Sequence, residues 1–225
     1  FFIDLKDINP LLNLVNLPLA LSEESRIEGS FSNGFTSRLQ ALSRIDTVTY
    51  NGKHFFDNEI EFSGSKIRDS SRVLAVLSLE SGRQHLAKNF TTKELFAEAV
   101  WDEDHIDFGL DFDQEGTTNY VRLQSEIDFL ADSTKIKILP SRLHILEKSW
   151  QIDAENYTLV KGSEWKINNL KLFHDNESAL LNGEISKDST EPLVLTLSNF
   201  DLKILNSISP TPLSGIIDGF VEIKG

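Results

Sequence analysis

The chain has 225 residues, 40% of them hydrophobic, enough for one large all-β domain or two ordinary ones and too many for a disordered polymer. Lys and Arg total 22 against 35 Asp and Glu, a net charge of −13, so a nucleic-acid partner would have to overcome phosphate repulsion. There is no cysteine, which excludes disulfides and thiolate metal sites and permits an oxidising compartment without naming one.

Methionine is absent even at position 1, and Phe1-Phe2-Ile3 opens the chain without a basic n-region or a signal-peptide apolar stretch. The expectation is a piece of a longer polypeptide, for which missing targeting signals are uninformative. No run approaches eighteen consecutive apolar residues, so no transmembrane helix is predicted.

In chain order, Phe1 to Ile8 alternates loosely, and Asn9-Pro10 introduces Leu11 to Val15 as either one helical turn or an edge strand. Ile27 to Phe35 and Leu39 to Tyr50 read as strands. Asn51-Gly52 is the strongest hairpin signal, flanked by the β-branched Ile45, Thr47, Val48 and Thr49 on one side and by Phe55, Phe56, Ile60 and Phe62 on the other. Val73 to Leu79 places Val73, Ala75, Leu77 and Leu79 on one face, with Ser81-Gly82 read as the closing turn.

Gln84 to Trp101 is ambiguous, because Thr92 to Ala99 has helix formers behind a capping Thr yet also alternates as a strand would. His105 to Asp113 alternates most clearly: Ile106, Phe108, Leu110 and Phe112 on one side, Asp107, Gly109, Asp111 and Asp113 on the other. Glu115-Gly116 is a turn. Val121 to Phe129, Ile136 and Ile138, Leu143 and Ile145, Ile152, and Tyr157 to Val160 continue at a spacing that predicts roughly fifteen to eighteen strands.

From Glu164 to Gly225 apolar-alternating runs are broken at Asp175-Asn176, Asn182-Gly183, Lys187 to Pro192 and Ser209 to Pro212, a meander of strands. The same phrase opens and closes the chain. Ile3-Asp4-Leu5-Lys6 matches Phe200-Asp201-Leu202-Lys203, an offset of 201 − 4 = 197, and Ile27-Glu28-Gly29 matches Ile217-Asp218-Gly219. Residues 1–31 and 200–225 are therefore expected to be equivalent points of a stacked repeat, with 1–225 as one continuous β segment.

Chemistry is sparsely encoded. His54, His85, His105, His144 and His174 are far apart and none has a metal-ligand spacing, so no metal centre is expected. No nucleophile elbow or phosphate loop is present, and no catalytic residue or cofactor is predicted. Asp102-Glu103-Asp104 with Asp107, Asp111 and Asp113 lacks the register and central glycine of a calcium loop and fits an outward strand face.

Trp101 to Phe108, Leu139-Pro140-Ser141-Arg142-Leu143 to Trp150, Ile167 to Leu172 with Leu181 to Ser186, and Leu193 to Gly225 with Asn199-Phe200-Asp201-Leu202 and Pro212-Leu213-Ser214-Gly215 resemble the translocation-and-assembly-module TamB proteins. The likeness is to the C-terminal half of the Bacteroidota versions and, more distantly, to AsmA-like proteins. It implies an elongated, curved, partly open β-sheet of many short strands with an apolar inner face. It further implies a periplasmic location in a parent protein anchored in the inner membrane and reaching the outer membrane. The implied role is non-enzymatic: conducting phospholipids and supporting outer-membrane biogenesis with an Omp85-type, TamA-like barrel and its outer-membrane protein clients.

The groove candidates are Val73, Leu77 and Leu79; Ile106, Phe108, Leu110 and Phe112; Leu193, Leu195 and Leu197; and Ile217, Val221 and Ile223. Their alternation alone fits the core of a closed sandwich equally well. A scaffold or chaperone for outer-membrane β-barrel proteins, or a closed sandwich or solenoid binding module, are the alternatives.

Overall fold

The structure is a computed structural model that describes residues 1–23, 25–186, 191–207, 209, 211–223. The expected breaks at Lys187 to Pro192 and at Ser209 to Pro212 lie partly outside the described residues. Among the described residues the chain is nearly all β: seventeen strands belong to one large antiparallel sheet. It divides into two compact units, 1–103 with 108–117, and 104–107 with 118 onward.

The first unit begins with β1 (Phe2–Leu5), helix α1 (Asn9–Leu14), β2 (Leu19–Leu21) and β3 (Ser25–Ser32). Long strands follow: β4 (Thr36–Tyr50), β5 (Lys53–Ile67), β6 (Val73–Ala87) and β7 (Phe90–Asp102). The single helical turn after Asn9-Pro10 settles that ambiguity, Pro10 tolerating a position where no N–H is needed. β1 pairs with β3, β3 with β4, and β4 to β7 pair in succession, while β2 shares the β4 edge at its Val48 to Tyr50 end. Asn51 and Gly52 turn with φ of 49° and 73°, the positive pair a type I′ hairpin needs, and place Tyr50 opposite Lys53.

Two expectations change here. Thr92 to Ala99 is strand within β7, since every residue of that run except Glu94 has a registered cross-strand partner on β6. Ser81-Gly82 does not close β6, which runs through to Ala87. Gly82 lies beside Asp57, which has φ 55° in the middle of β5, and Glu94 of β7 has φ 54°. The strands bend there instead of ending. Polar side chains satisfy the backbone along the bend: the Asn58 amide donates to Ile45 O and Phe55 O, and the Ser81 hydroxyl donates to Phe56 O.

β8 (His105–Gln114) contributes residues to both units. The second unit otherwise holds β9 (Tyr120–Phe129), β10 (Thr134–Ile138), β11 (Arg142–Ile145), β12 (Lys148–Ile152), β13 (Tyr157–Lys161), β14 (Glu164–His174), β15 (Glu177–Ile185), β16 (Leu193–Asp201) and β17 (Ile216–Ile223), with a short 3-10 helix at Leu202–Ser207. One half of β9 pairs with β10 and then β13; the other half pairs with β11 and then β12; both rows end on β14. Four short strands thus occupy two strand positions. Pro140 cannot donate to a ladder and ends β10, and the buried Asn156 clamps the seam by donating to Ile138 O while accepting from Ile138 N.

β14, β15, β16 and β17 then meander antiparallel. Bulges interrupt β14 between Ile167 and Leu170 and β16 between Leu197 and Phe200. Both are built alike: Asn169 and Asn199, with φ of 49° and 46°, donate their N–H to side-chain oxygens of Asn182 and Asp218 on the neighbouring strand.

Candidate functional site

Directly opposed residues of an antiparallel sheet project to the same side, so the registers define faces. In the first unit one row reads Leu39, Gly64, Ala75, Trp101; the next Ala41, Phe62, Leu77, Ala99; the next Ser43, Ile60, Leu79, Ala97. This face is apolar across four strands. The opposite face carries Arg44, Glu59 and Glu80, and Leu42, Glu61, Ser78 and Glu98.

Exposure along the apolar face is graded. Leu39, Leu77 and Trp101 are 37%, 46% and 43% exposed, while Ile45, Asn58 and Ser81 at the bend are buried. Leu77 and Leu79 lie inside this surface, and Val73 is at its margin opposite Lys66. The ring of Phe62 lies over Gly64, where a Cβ would approach its Cζ to 2.9 Å.

The second unit has its own apolar face. Leu172, Ala179, Leu197 and Gly219 form one row, Leu170, Leu181, Leu195 and Val221 the next, and Leu193 faces Ile223. Leu193, Leu195, Leu197, Val221 and Ile223 are thereby contiguous, whereas Ile217 lies beyond the bulge and faces Phe200. Leu193 is buried at 5% exposure, whereas Ile217, Val221 and Ile223 are exposed. Phe108, Leu110 and Phe112 belong to the first unit and Ile106 to the second; all four are half-buried.

Sequence reasoning missed Leu39, Ala41, Ile60, Ala97 and Ala99 as partners of Leu77. Counting outward from Asn51-Gly52 would have found the first three, because a two-residue loop fixes every β4 and β5 pair to one sum, Tyr50 with Lys53 and Ala41 with Phe62 alike.

The polar groups have structural partners. His54 lies within 3.0 Å of Thr49 Oγ1, and Phe56 contacts the rings of both His54 and His85. His144 stacks on Tyr120 and His174 packs on Trp150. His105 sits 2.7 Å from Asp128 and 3.3 Å from Asp107, and these carboxylates, Asp128 first, raise its pKa. Glu103 turns with φ 58° and pairs with Arg72, Asp107 is exposed, and Asp111 and Asp113 are half-buried. Among the described residues no group of three His, Cys, Asp or Glu converges as a metal site.

Compared with the models of known protein families, with curated protein sequences and with solved structures, the chain matches none.

Proposed function

We propose that the chain is a groove segment of a TamB- or AsmA-like protein that conducts phospholipids between the inner and outer membranes across the periplasm and supports outer-membrane biogenesis, working with an Omp85-type barrel and without catalysing a reaction. One observation carries this reading: in the first unit, Leu39, Leu77 and Trp101 stand open to water on the same face as Phe62, Ile60 and Leu79. Open apolar area costs about 25 cal/mol per Å², so a registered row of it marks a surface meant to be covered.

An acyl chain suits that surface. Each methylene leaving water gains about 0.8 kcal/mol, so the occupant needs an unbroken apolar path and no directional partner. The rows supply such a path from β4 to β7 without a charged side chain in them. A protein client would instead need hydrogen bonds at a strand edge.

The test is photo-crosslinking from position 77 and position 195, with position 61 on the charged face as control. Phospholipid adducts at 77 and 195 and none at 61 support the conduit. Peptide adducts at 77, or no adduct at any position, remove it.

A further inference from the structure

We propose that the concavity beside Arg142 in the second unit binds a phosphate ester, held by the Arg142 guanidinium and by the hydroxyl and amide donors around it. The site lies on the face opposite the leucine rows, so it does not depend on the lipid reading of those rows.

The face follows from register. Tyr120, His144 and Ser149 oppose one another across β9, β11 and β12, and Arg122 opposes Arg142 in the next row on the same side. Gln151 is two residues from Ser149 on β12 and opposes Phe173 of β14, so it shares that side. Val121, Leu143 and Trp150 belong to the other side, where Ile152 faces Leu172 and the leucine rows begin.

A concavity of about 350 Å³ is lined here by Tyr120, Arg142, Ser149 and Gln151 and by Pro140-Ser141. Small-molecule sites span about 300–1,000 Å³, so the space suits a compact polar ligand. Its wall is held in place. The Ser141 hydroxyl accepts from Gln124 N at 3.1 Å and donates to Leu139 O at 2.8 Å, while Leu139 N donates to Gln124 O at 2.8 Å. The Tyr120 ring is stacked on His144 at 5.4 Å and carries the Arg122 guanidinium 5.2 Å from its centre.

Four side chains in that wall end in groups without a hydrogen-bond partner among the described residues: the Tyr120 and Ser149 hydroxyls, the Gln151 amide and the Arg142 guanidinium. Each can donate. The lining contains no carboxylate, although the chain has 35 acidic residues; other concavities of the same unit carry Glu155, or Asp132 and Glu164. An acid-free wall with a cation in it selects an anion over a neutral polyol.

The arginines point to the same ligand. Like charges directly opposed across a ladder repel, and an anion on Arg142 offsets that repulsion. Arg122 is engaged, its Nη1 donating to Val121 O at 2.9 Å, so Arg142 is the cation the ligand meets. The guanidinium fork matches two oxygens of a phosphate, and the Tyr120, Ser149 and Gln151 donors serve the remaining ones. A carboxylate has only two oxygens and would leave part of this donor set unused.

The test titrates the 225-residue protein with glycerol 3-phosphate and follows backbone amide shifts by NMR. Saturable shifts are expected at 120–122, 140–143 and 149–151, and none with glycerol. Affinity is expected to fall at least about tenfold in Arg142→Gln and to stay unchanged in Lys135→Gln, a cation of the same face outside the concavity. Arg142→Lys, which keeps the charge without the fork, is expected to fall between. Arg142 is exposed, so neither substitution disturbs the fold. Flotation with phosphatidylglycerol vesicles assigns the source: Arg142-dependent binding competed by glycerol 3-phosphate makes the ligand a lipid headgroup, and glycerol 3-phosphate binding without vesicle binding makes it a free ester. No saturable shift with glycerol 3-phosphate, equal shifts with glycerol, shifts centred elsewhere, or unchanged affinity in Arg142→Gln overturns the proposal.

Discussion

Gln84 of β6 and Thr92 of β7 face each other across the ladder with no solvent exposure, the Thr92 hydroxyl donating to Gln84 Oε1 at 2.7 Å. The Gln84 amide in turn donates to Ser81 O at 2.7 Å, tying the pair to the bend. Each polar group is satisfied by another member of the chain. Removing one strands the others.

Gln84→Leu is therefore expected to cost about 1–3 kcal/mol, the penalty for leaving the Thr92 hydroxyl buried and unpaired. Gln84→Leu combined with Thr92→Val is expected to recover part of that loss, because no unpaired hydroxyl is left. Urea unfolding of the two single variants and the double variant checks this through the sign of the coupling energy.

That pair also shows where the sequence was silent. The hairpin at Asn51-Gly52 and the alternation of Ile106 to Phe112 were legible, because turn chemistry and a period of two are local properties. Gln84 and Thr92 were not, since a polar residue is buried only when its partner arrives from another strand. Ser81-Gly82 looked like a turn because small residues favour turns; in the fold the small residue accommodates Asp57. The β11 to β12 turn at Leu146-Glu147, with φ of 51° and 61°, has none of the usual residues, and its N–H at Leu146 is held by the Asn119 side chain. Leu193, Leu195 and Leu197 share a face because β16 carries its leucines in strict alternation, whereas Ile217 falls beyond the bulge and Leu39 and Ala97 needed the register.

Trp150 is 1% exposed and packs 5.9 Å from His174 and 6.1 Å from Phe200, ring centre to ring centre. Its indole N–H has no partner among the described residues. Trp150→Ala is expected to cost about 3–5 kcal/mol by opening a cavity. Trp150→Phe is expected to cost less than half as much, since it keeps a ring and removes an unsatisfied donor. Denaturant midpoints of the two variants at equal slope decide it.

The raised pKa of His105, caused first by its hydrogen bond to Asp128 and then by Asp107, makes stability pH-dependent. A folded-state value above the unfolded value of about 6.5 means that the contribution is complete below that pH and is lost as pH rises through the folded value. His105→Gln is therefore expected to be destabilising at low pH and nearly neutral well above the folded value. Unfolding curves across that range check the sign, and a histidine titration by NMR checks that the value is raised; equal loss at every pH would contradict it.

Gly29→Ala and Gly219→Ala are expected to behave oppositely although the two glycines are counterparts. At Gly29 the added methyl meets a backbone carbonyl and an aromatic ring, so β3 must separate from β4 or Phe1 must move, at a cost of about 1–3 kcal/mol. At Gly219 the methyl enters open space, and a strand position gains from losing glycine's excess unfolded-state entropy, by about 0.4–1 kcal/mol. Thermal unfolding of both variants is the measurement, and an equal loss at the two glycines would contradict the expectation.

Leu77→Asp and Leu193→Asp separate covering by a ligand from covering by the protein itself. Leu77 is 46% exposed, so a carboxylate there reaches water and is expected to leave the unfolding midpoint nearly unchanged while breaking the apolar row. Leu193 is 5% exposed, beside Gly183, whose φ of 121° and close approach to Pro192 leave no room to relax. The carboxylate is buried there without a partner, and the variant is expected to lose several kcal/mol or fail to fold. If phospholipid adducts from position 39 disappear in the folded Leu77→Asp protein, the row acts as a path, since one charge interrupts binding two strands away. If Leu77→Asp unfolds the chain instead, that face is a closed core and the lipid reading falls with it.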